Sequence, residues 1–268
     1  MKQRNWLSRF YVGLVMFFLY APIAVLIVYS FNANKSRGVW TGFTLKWYRQ
    51  LFHNDIILQS LSNTLLIAVV SSILATILGT AAAIGIYSMR RRARAVVMNV
   101  TYLPIINPEI VTGVSLMLLF VMAGIDLGYL TLILAHITFN TPYVILNVMP
   151  KLRQMDKHIY EAALDLGCSP MQAFSKVIVP EIAPGVVSGL LMSFTFSLDD
   201  FIISYFVSSS TSQTLPITIY AMTRKKVSPE INALSTIIFV LVLTALIIVN
   251  IHGARQEKLE QKRYASFM

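Results

Sequence analysis

Three acidic residues lie within or beside long apolar stretches, where a carboxylate is unexpected. Glu109 follows the proline-containing segment 104–108, and the adjacent Asp199 and Asp200 follow apolar residues that begin near Pro184. A carboxylate at membrane depth costs roughly 2.5 to 3.5 kcal/mol on insertion scales, so it usually has a functional reason. No Lys or Arg lies inside an apolar stretch. We therefore expect the countercharge to come from water, from another subunit or from a bound cation.

Aromatic residues accompany these carboxylates at helical spacing. Phe194, Phe201 and Tyr205 flank the two aspartates. Tyr102 precedes Glu109 by seven residues, so the two lie on the same helical face if the proline segment preserves the helical phase. Ring faces attract cations by about 0.5 to 2 kcal/mol each, so the pattern predicts a path for a cation. In the alternative interpretation, the aspartates are solvated or capping residues at a helix end, and Glu109 is an acid favoured at a helix start.

Bond-breaking chemistry finds no support in the sequence. The histidines are scattered without metal-ligand spacing (His53, His136, His158 and His252), and Cys168 is the only cysteine. Neither a Gly-rich phosphate loop nor a G-x-S-x-G elbow is present. An aspartyl enzyme is the alternative from another class, but adjacent residues of a helix point about 100° apart and share a proton poorly. We expect no catalytic residue, no metal site and no cofactor.

Composition indicates an integral membrane protein. Hydrophobic residues make up 56% of the 268 and charged residues 13%, whereas soluble domains carry about a quarter charged residues. The net charge of +10 comes from short basic clusters between apolar stretches. Nucleic-acid binding requires basic residues gathered on a folded polar domain, so the charge argues for membrane topology and against a nucleic-acid partner.

Six apolar stretches are long enough to cross a membrane, which takes about 20 residues in a helix. They cover residues 10–31, 64–89, 95–122, 129–149, 184–207 and 231–251. Pro104 and Pro108 are expected to bend or break the third. In the second, Ala75, Gly79 and Ala83 recur every fourth residue, which predicts close packing against another helix. We predict an all-α integral membrane protein with one transmembrane domain over residues 1–268.

The basic residues predict the orientation, since Lys and Arg favour the cytoplasmic side. If the N-terminus is cytoplasmic, the segments 2–9, 90–94, 151–176 and 255–263 place 15 of the 22 basic residues on that side and leave 7 on the other. Both termini are therefore expected in the cytoplasm.

A polar segment of residues 155–180 separates the fourth and fifth apolar stretches. Its first part predicts a helix over 159–166 that ends at Gly167, a residue favoured in left-handed C-caps. Ser169 and Gln172 then have the spacing of a capping box, which predicts a second helix. Pro180 is expected to stop that second helix.

The first helix of this segment has the features of a docking surface. The small side chains of Ala162 and Ala163 permit close approach of a partner protein, and Glu161 offers a charge that fixes the register of contact. The pattern resembles the coupling motif of ABC importer permeases, which reads E-A-A, three residues, G, nine residues, I-x-L-P. Residues 161–163, Gly167 and 177–180 match it, with valine in place of Ile and Leu.

The resemblance covers nearly the whole chain and is to the permease subunits of polyamine ABC importers. Similar segments are residues 40–48, 107–111, 161–180, 193–200 and 227–233. It implies a type I fold with six transmembrane helices and a cytoplasmic coupling helix between spans four and five. It also implies that Glu161, Ala162, Ala163, Gly167 and Pro180 couple the chain to an ATPase.

The resemblance further implies the setting of the protein. ATP hydrolysis is expected on a separate ABC ATPase subunit, beside a second permease in a heterodimer and an extracytoplasmic substrate-binding protein, in the bacterial cytoplasmic membrane. The expected cargo is spermidine or putrescine, moving along Glu109, Asp199 and Asp200. Another organic cation or a metal complex is the alternative cargo.

Overall fold

The structure is a computed structural model that describes residues 6–34, 39–156, 158–225, 229–241, 243–244 and 247. Over these residues the fold is helical, apart from an isolated antiparallel bridge between Asn32 and Phe43. The helices are α1 (Trp6–Ser30), α2 (Lys46–Leu51), α3 (Asp55–Ser88), α4 (Arg91–Ile106), α5 (Glu109–Met122), α6 (Tyr129–Gln154), α7 (His158–Asp165), α8 (Pro170–Ala173), α9 (Val179–Asp199), α10 (Ile202–Val207), α11 (Leu215–Lys225) and α12 (Pro229–Leu241). A π-helical turn, Phe174–Ile178, joins α8 to α9.

Four helical segments of the described chain are long and apolar enough to cross a membrane, namely α1, α3, α6 and the continuous segment Pro170–Asp199. The pair α4 and α5 counts as a fifth if it forms one broken span, because the two helices meet at 100°. This bend confirms the predicted break at Pro108, whereas Pro104 lies inside α4. The predicted sixth span, 231–251, corresponds to α12 as far as residue 241, and much of the remainder lies outside the described residues.

The chain divides into two compact units. The first consists of Met1–Asp55 and Ala221–Met268, and a buried tryptophan organises its short α2. Trp47 is 2% exposed, and its indole N–H donates to the carbonyl of Asn32 at 2.6 Å. The Asn32 side chain in turn donates to the Val39 carbonyl, so the segment before α2 is tied to the end of α1.

The second unit, Ile56–Tyr220, is built around α6, which packs along α9 and also contacts α4, α5 and α10. Glycines permit the closest approaches. A Cβ added to Gly79 of α3 would lie 2.6 Å from the Val144 Cβ, and one added to Gly189 of α9 would lie 3.2 Å from the Val144 Cγ1. Ala75 and Ala83 beside Gly79 are fully buried. The predicted small-residue stripe of α3 is therefore a helix-packing surface.

Two of the predicted boundaries are wrong. The fifth span was expected to run through residues 184–207, but α9 ends at Asp199 and α10 begins at Ile202. Pro180 was expected to stop a helix, yet it lies in the first turn of α9 within the continuous segment Pro170–Asp199. The π-helical turn explains the second error, because the Val179 N–H bonds to the Phe174 carbonyl five residues back. This wider turn relieves the clash that a proline makes with the preceding α-helical turn.

Candidate functional site

An acidic cavity of about 460 Å³ lies within the second unit, where two interrupted helices meet α6. It is lined by Pro104, Ile105, Asn107, Glu109, Thr112, Phe139, Tyr143, Phe196, Asp199, Asp200, Phe201, Ile202 and Ile203. All three carboxylates singled out from the sequence are among these residues, although 90 positions separate Glu109 from Asp199. None of these lining residues carries a positive charge.

The first interruption, between α4 and α5, is favoured by a proline and by a side-chain hydrogen bond. Asn107 is extended, with ψ of 135°, because the ring of Pro108 disfavours the helical conformation of the residue before it. The Asn107 side chain donates to the Thr112 hydroxyl at 3.0 Å and so ties the break to the first turn of α5. Glu109 begins α5 and is exposed to the cavity, so it occupies a helix start and the cavity wall together.

The second interruption, between α9 and α10, is held by a carboxylate. Asp200 has a ψ of 119° and leaves the helix. Its Oδ1 accepts from the Ile203 N–H at 3.3 Å, and its Oδ2 accepts from the Ser204 N–H at 2.7 Å and the Ser204 hydroxyl at 2.6 Å. The side chain is only 6% exposed. For Asp200, the capping interpretation left open from the sequence is therefore correct, and the residue still borders the cavity.

The neighbouring Asp199 has a different environment. Its side chain is exposed towards the cavity, and no other residue in the described part of the chain donates a hydrogen bond to it or pairs with it ionically. The same holds for the side chain of Glu109. Two carboxylates therefore remain available to an incoming cation, whereas the third is engaged in holding α10.

The structure separates the aromatic residues expected near the carboxylates. Phe201 lines the cavity, with its ring 5.7 Å from that of Tyr205 and 4.6 Å from that of Tyr220. Tyr205 is half exposed but does not line the cavity. The chain leaves the helix at Asp200, so Tyr205 does not share a continuous helical face with the two aspartates.

Two other aromatic expectations fail for geometric reasons. Phe194 is not among the cavity residues, because it lies two positions from Phe196 and so points to nearly the opposite side of α9. Tyr102 lines a different cavity with Met98 and Arg153, since the 100° bend does not preserve the helical phase between α4 and α5.

Sequence reasoning missed the contribution of α6 to the cavity. Phe139 and Tyr143 lie four residues apart on one face of α6 and line the cavity, and the Tyr143 ring is 4.5 Å from that of Phe196. It also missed His136, which is fully buried with Nε2 at 3.0 Å from Ser204 Oγ and 3.6 Å from Asp200 Oδ2. His136, Asn140 and Tyr143 are spaced by four and then three residues, and this spacing was a detectable signal of a polar face on α6.

The polar segment before α9 forms a helical hairpin of α7 and α8, as the sequence predicted. Gly167 has φ of 87°, its N–H bonds to the Leu164 carbonyl, and the Cys168 N–H bonds to the Ala163 carbonyl, which is a Schellman C-cap. Ser169 and Gln172 form the predicted capping box.

The faces of this hairpin differ in exposure. Glu161 and Ala162 are exposed, whereas Ala163 is 7% exposed and packs within the chain, where α7 contacts α8 and the π-helical turn. His158 Nδ1 lies 3.5 Å from Glu161 Oε2 at the surface. The exposed part of the expected docking surface is therefore formed by residues such as Glu161 and Ala162, while Ala163 permits close internal packing.

Comparison with known families matches residues 75–258 to the binding-protein-dependent transport system inner membrane component. The match includes the carboxylates of the cavity, the α7–α8 hairpin and α9. This chain belongs to that family. It is a permease component of a multi-pass inner membrane transport system, and it is not an enzyme.

Relatives of this permease have been described in bacteria. It is 40% identical over 245 residues to the spermidine/putrescine transport system permease protein PotC of Haemophilus influenzae, covering 91% of this chain and 95% of that one. It is 41% identical over 229 residues to the putrescine transport system permease protein PotI of Escherichia coli, covering 82% of this chain and 81% of that one.

A solved structure shares the fold of the permease. A chain of a bacterial ABC transporter involved in the import of the acidic polysaccharide alginate superimposes with a TM-score of 0.70, covering 91% of this chain and 93% of that one at 14% identity. The helical architecture is therefore that of a type I ABC permease, as expected. At this identity, the likeness concerns the fold alone.

Proposed function

We propose that this chain is a permease subunit of an ATP-driven importer and forms part of the translocation pathway for the polyamines spermidine and putrescine. The observation that carries this proposal is the convergence of Glu109, Asp199 and Asp200 on one cavity. Its relatives named as spermidine/putrescine and putrescine permeases, at 40% and 41% identity, support the same cargo.

The chemistry of the acidic cavity suits a flexible polycation. Glu109 and Asp199 face the cavity from different helices, so they can meet ammonium groups that are separated along one cargo molecule. The rings of Tyr143, Phe196 and Phe201 supply faces that attract ammonium groups, each by about 0.5 to 2 kcal/mol. The methylene segments of a polyamine can contact the apolar lining, including Ile105 and Ile202. A polyamine thereby supplies the positive charge that the lining lacks.

We further propose a six-span topology with both termini in the cytoplasm. If α4 and α5 form one broken span, the chain crosses once between the basic turn at 90–94 and α6, and α6 returns it to the same side. The basic turn and the α7–α8 hairpin then share the cytoplasmic side, in agreement with the distribution of Lys and Arg. The sixth span comprises α12 and the residues that follow it, and the whole chain acts as one transmembrane domain.

In this arrangement the α7–α8 hairpin is the coupling segment between spans four and five. We propose that Glu161, Ala162, Ala163, Gly167 and Pro180 contribute to coupling with an ABC ATPase, directly or by shaping the hairpin. A second permease subunit completes the pathway, and an extracytoplasmic binding protein delivers the cargo. The chain itself requires no cofactor, because ATP is used by the partner. No residue of it is assigned to a catalytic or metal site.

The cargo is tested by uptake in a bacterial strain that lacks its own polyamine importers and expresses the complete transporter. We expect saturable, ATP-dependent uptake of radiolabelled spermidine or putrescine. Choline and a ferric chelate serve as the cargo alternatives. Polyamine uptake no greater than in the strain without the transporter, together with uptake of either alternative, would contradict the polyamine assignment.

Coupling is tested by replacing Glu161 with Lys, which reverses the charge at an exposed position of α7. We expect ATPase subunits to co-purify poorly with the variant, while its permease subunits remain assembled. Glu181→Lys makes the same change at an exposed position at the start of α9 and serves as the control. Equal ATPase recovery and equal uptake for Glu161→Lys and wild type would remove the coupling role of Glu161.

A further inference from the structure

His136 is a buried polar residue that the transport pathway does not use directly, since it does not line the acidic cavity. Its Nε2 lies 3.0 Å from the Ser204 hydroxyl oxygen. That hydroxyl donates its only hydrogen to Asp200 Oδ2 at 2.6 Å, so its oxygen accepts from the His136 Nε2–H. A chain of two hydrogen bonds thus runs from the core of α6 to the carboxylate that caps α10.

The rest of the imidazole ring is fixed by packing instead of by polar contacts. The Phe139 ring lies 5.1 Å from it, and Nδ1 is buried without a hydrogen-bond partner in the described part of the chain. Leaving such an atom unpaired costs about 1 to 3 kcal/mol. An apolar side chain of similar size would fill this space without the cost of an unpaired Nδ1. We therefore attribute the role of His136 to the hydrogen bond that its Nε2–H donates.

The bonds around Asp200 decide where α10 begins and where the preceding residue points. Asp200 accepts from two backbone N–H groups of α10, and one peptide unit separates it from Asp199. A rotation of the Asp200 side chain therefore changes the backbone that carries the Asp199 carboxylate. It also moves Phe201, which lines the same cavity.

We infer that His136 is a positioning residue of the transport pathway, which acts through Ser204 and Asp200 to hold Asp199 and Phe201 in the acidic cavity. The hydrogen-bond part of this inference depends only on the fold. Its consequence for cargo selection rests on the proposed polyamine transport.

The chain offers a matched pair of substitutions at this position. His136→Gln keeps an N–H donor near the position of Nε2, whereas His136→Leu removes the donor at similar volume. Ser204→Ala removes the bridging oxygen alone. In the complete transporter, we expect His136→Leu and Ser204→Ala to accelerate hydrogen exchange of segment 200–207 about fivefold, as for loss of a helix cap, and His136→Gln to exchange like wild type.

A second readout separates positioning from a general loss of stability. The ratio of spermidine to putrescine uptake does not depend on the amount of assembled transporter. We expect this ratio to change roughly threefold in His136→Leu and Ser204→Ala, because the carboxylate spacing changes, and to be retained in His136→Gln. Reduced uptake of both cargoes by the same factor in the first two variants would indicate a structural role only and overturn the inference.

The uptake assay tests the proposed function, and hydrogen exchange tests the role of His136, so failure of one can be distinguished from failure of the other. If the wild-type transporter imports no polyamine, the proposed function is wrong, and hydrogen exchange still tests the link from His136 to α10. If it imports polyamines but His136→Leu keeps wild-type exchange and cargo ratio, the inference about His136 is wrong, whatever the result for Ser204→Ala. Should His136→Leu fail to assemble, His136→Met, which also lacks the donor, is measured in its place, because Ser204→Ala removes the direct bond to Asp200 and cannot isolate the role of His136.

Discussion

The acidic cavity is bordered by two helix breaks that are built in different ways. Between α4 and α5, Pro108 disfavours a helical Asn107, the bond from Asn107 to Thr112 supports the break, and the nearby Glu109 carboxylate is left unengaged. Between α9 and α10 no proline is present, and the Asp200 carboxylate itself caps the second helix. One break begins at a proline, and the other begins at a carboxylate that accepts three hydrogen bonds. Acidic residues that look alike in sequence therefore have unequal roles.

The largest effect is expected from removing the carboxylate that holds the second break. Asp200→Leu leaves the N–H groups of Ile203 and Ser204 and the Ser204 hydroxyl without their acceptor. We expect a loss of about 2 to 3 kcal/mol of stability and nearly complete loss of uptake. Thermal unfolding of the purified complex measures the first effect. Asp200→Asn, which keeps one acceptor oxygen, should lie between Asp200→Leu and wild type.

The two unengaged carboxylates are expected to affect transport without affecting stability. Glu109→Gln and Asp199→Asn each remove one charge that has no partner in the described part of the chain. We expect polyamine uptake to fall about tenfold in each, as for the loss of one charged hydrogen bond, with the unfolding temperature unchanged. Normal uptake in both variants would contradict a cation pathway. If either variant lowered the unfolding temperature as far as Asp200→Leu does, the distinction between the unengaged carboxylates and the capping carboxylate would be wrong.

A smaller effect is expected where the helices that follow the two breaks pack together. Gly113 of α5 faces α10, and an added Cβ would lie 2.9 Å from Phe206 Cδ2 and 3.3 Å from Ile203 Cα. Gly113→Ala should therefore separate α5 and α10 slightly, with a loss of about 1 to 2 kcal/mol and a few-fold decrease in uptake. Gly85→Ala is the matched control, because nothing lies within 4 Å of its added Cβ. Equal thermal stability of the two variants would exclude a tight contact at Gly113.

The smallest effect is expected from the proline of the first break. Pro108→Ala permits a helical conformation at Asn107, but the hydrogen bond from Asn107 to Thr112 still favours the break. We expect uptake to fall roughly twofold, since changes of this kind cost well under 1 kcal/mol when the native geometry is otherwise supported. Distances between spin labels at the exposed Val100 and Leu118 report the bend directly. A fully straightened α4–α5 pair would show that the proline alone makes the break.

Features determined by neighbouring residues were predictable from the sequence. The C-cap at Gly167, the capping box of Ser169 and Gln172, and the break at Pro108 each depend on a few consecutive side chains. The apolar stretches likewise identified the long helices, since length and composition decide whether a helix suits a membrane.

Features that depend on contacts between distant segments were not predictable. The sequence identified three carboxylates, but only packing brings Glu109 of α5 into one cavity with Asp199 of α9. The break at Asp200 has no proline or glycine to signal it in the sequence. It is held instead by the hydrogen bond from Ser204 to Asp200, which the buried His136 supports. The helical phase assumed for Phe194 and Tyr102 failed for the same reason, since local spacing does not determine which face meets a neighbouring helix.

The π-helical turn makes Pro170–Asp199 a continuous segment of 30 residues, with the α7–α8 hairpin at one end and Asp199 at the other. At 1.5 Å per residue, such a segment spans about 45 Å. In a continuous helix of this kind, each residue added or removed turns one end relative to the other by about 100°. The wide turn at Phe174–Ile178 therefore sets the angular alignment between the hairpin and the Asp199 carboxylate.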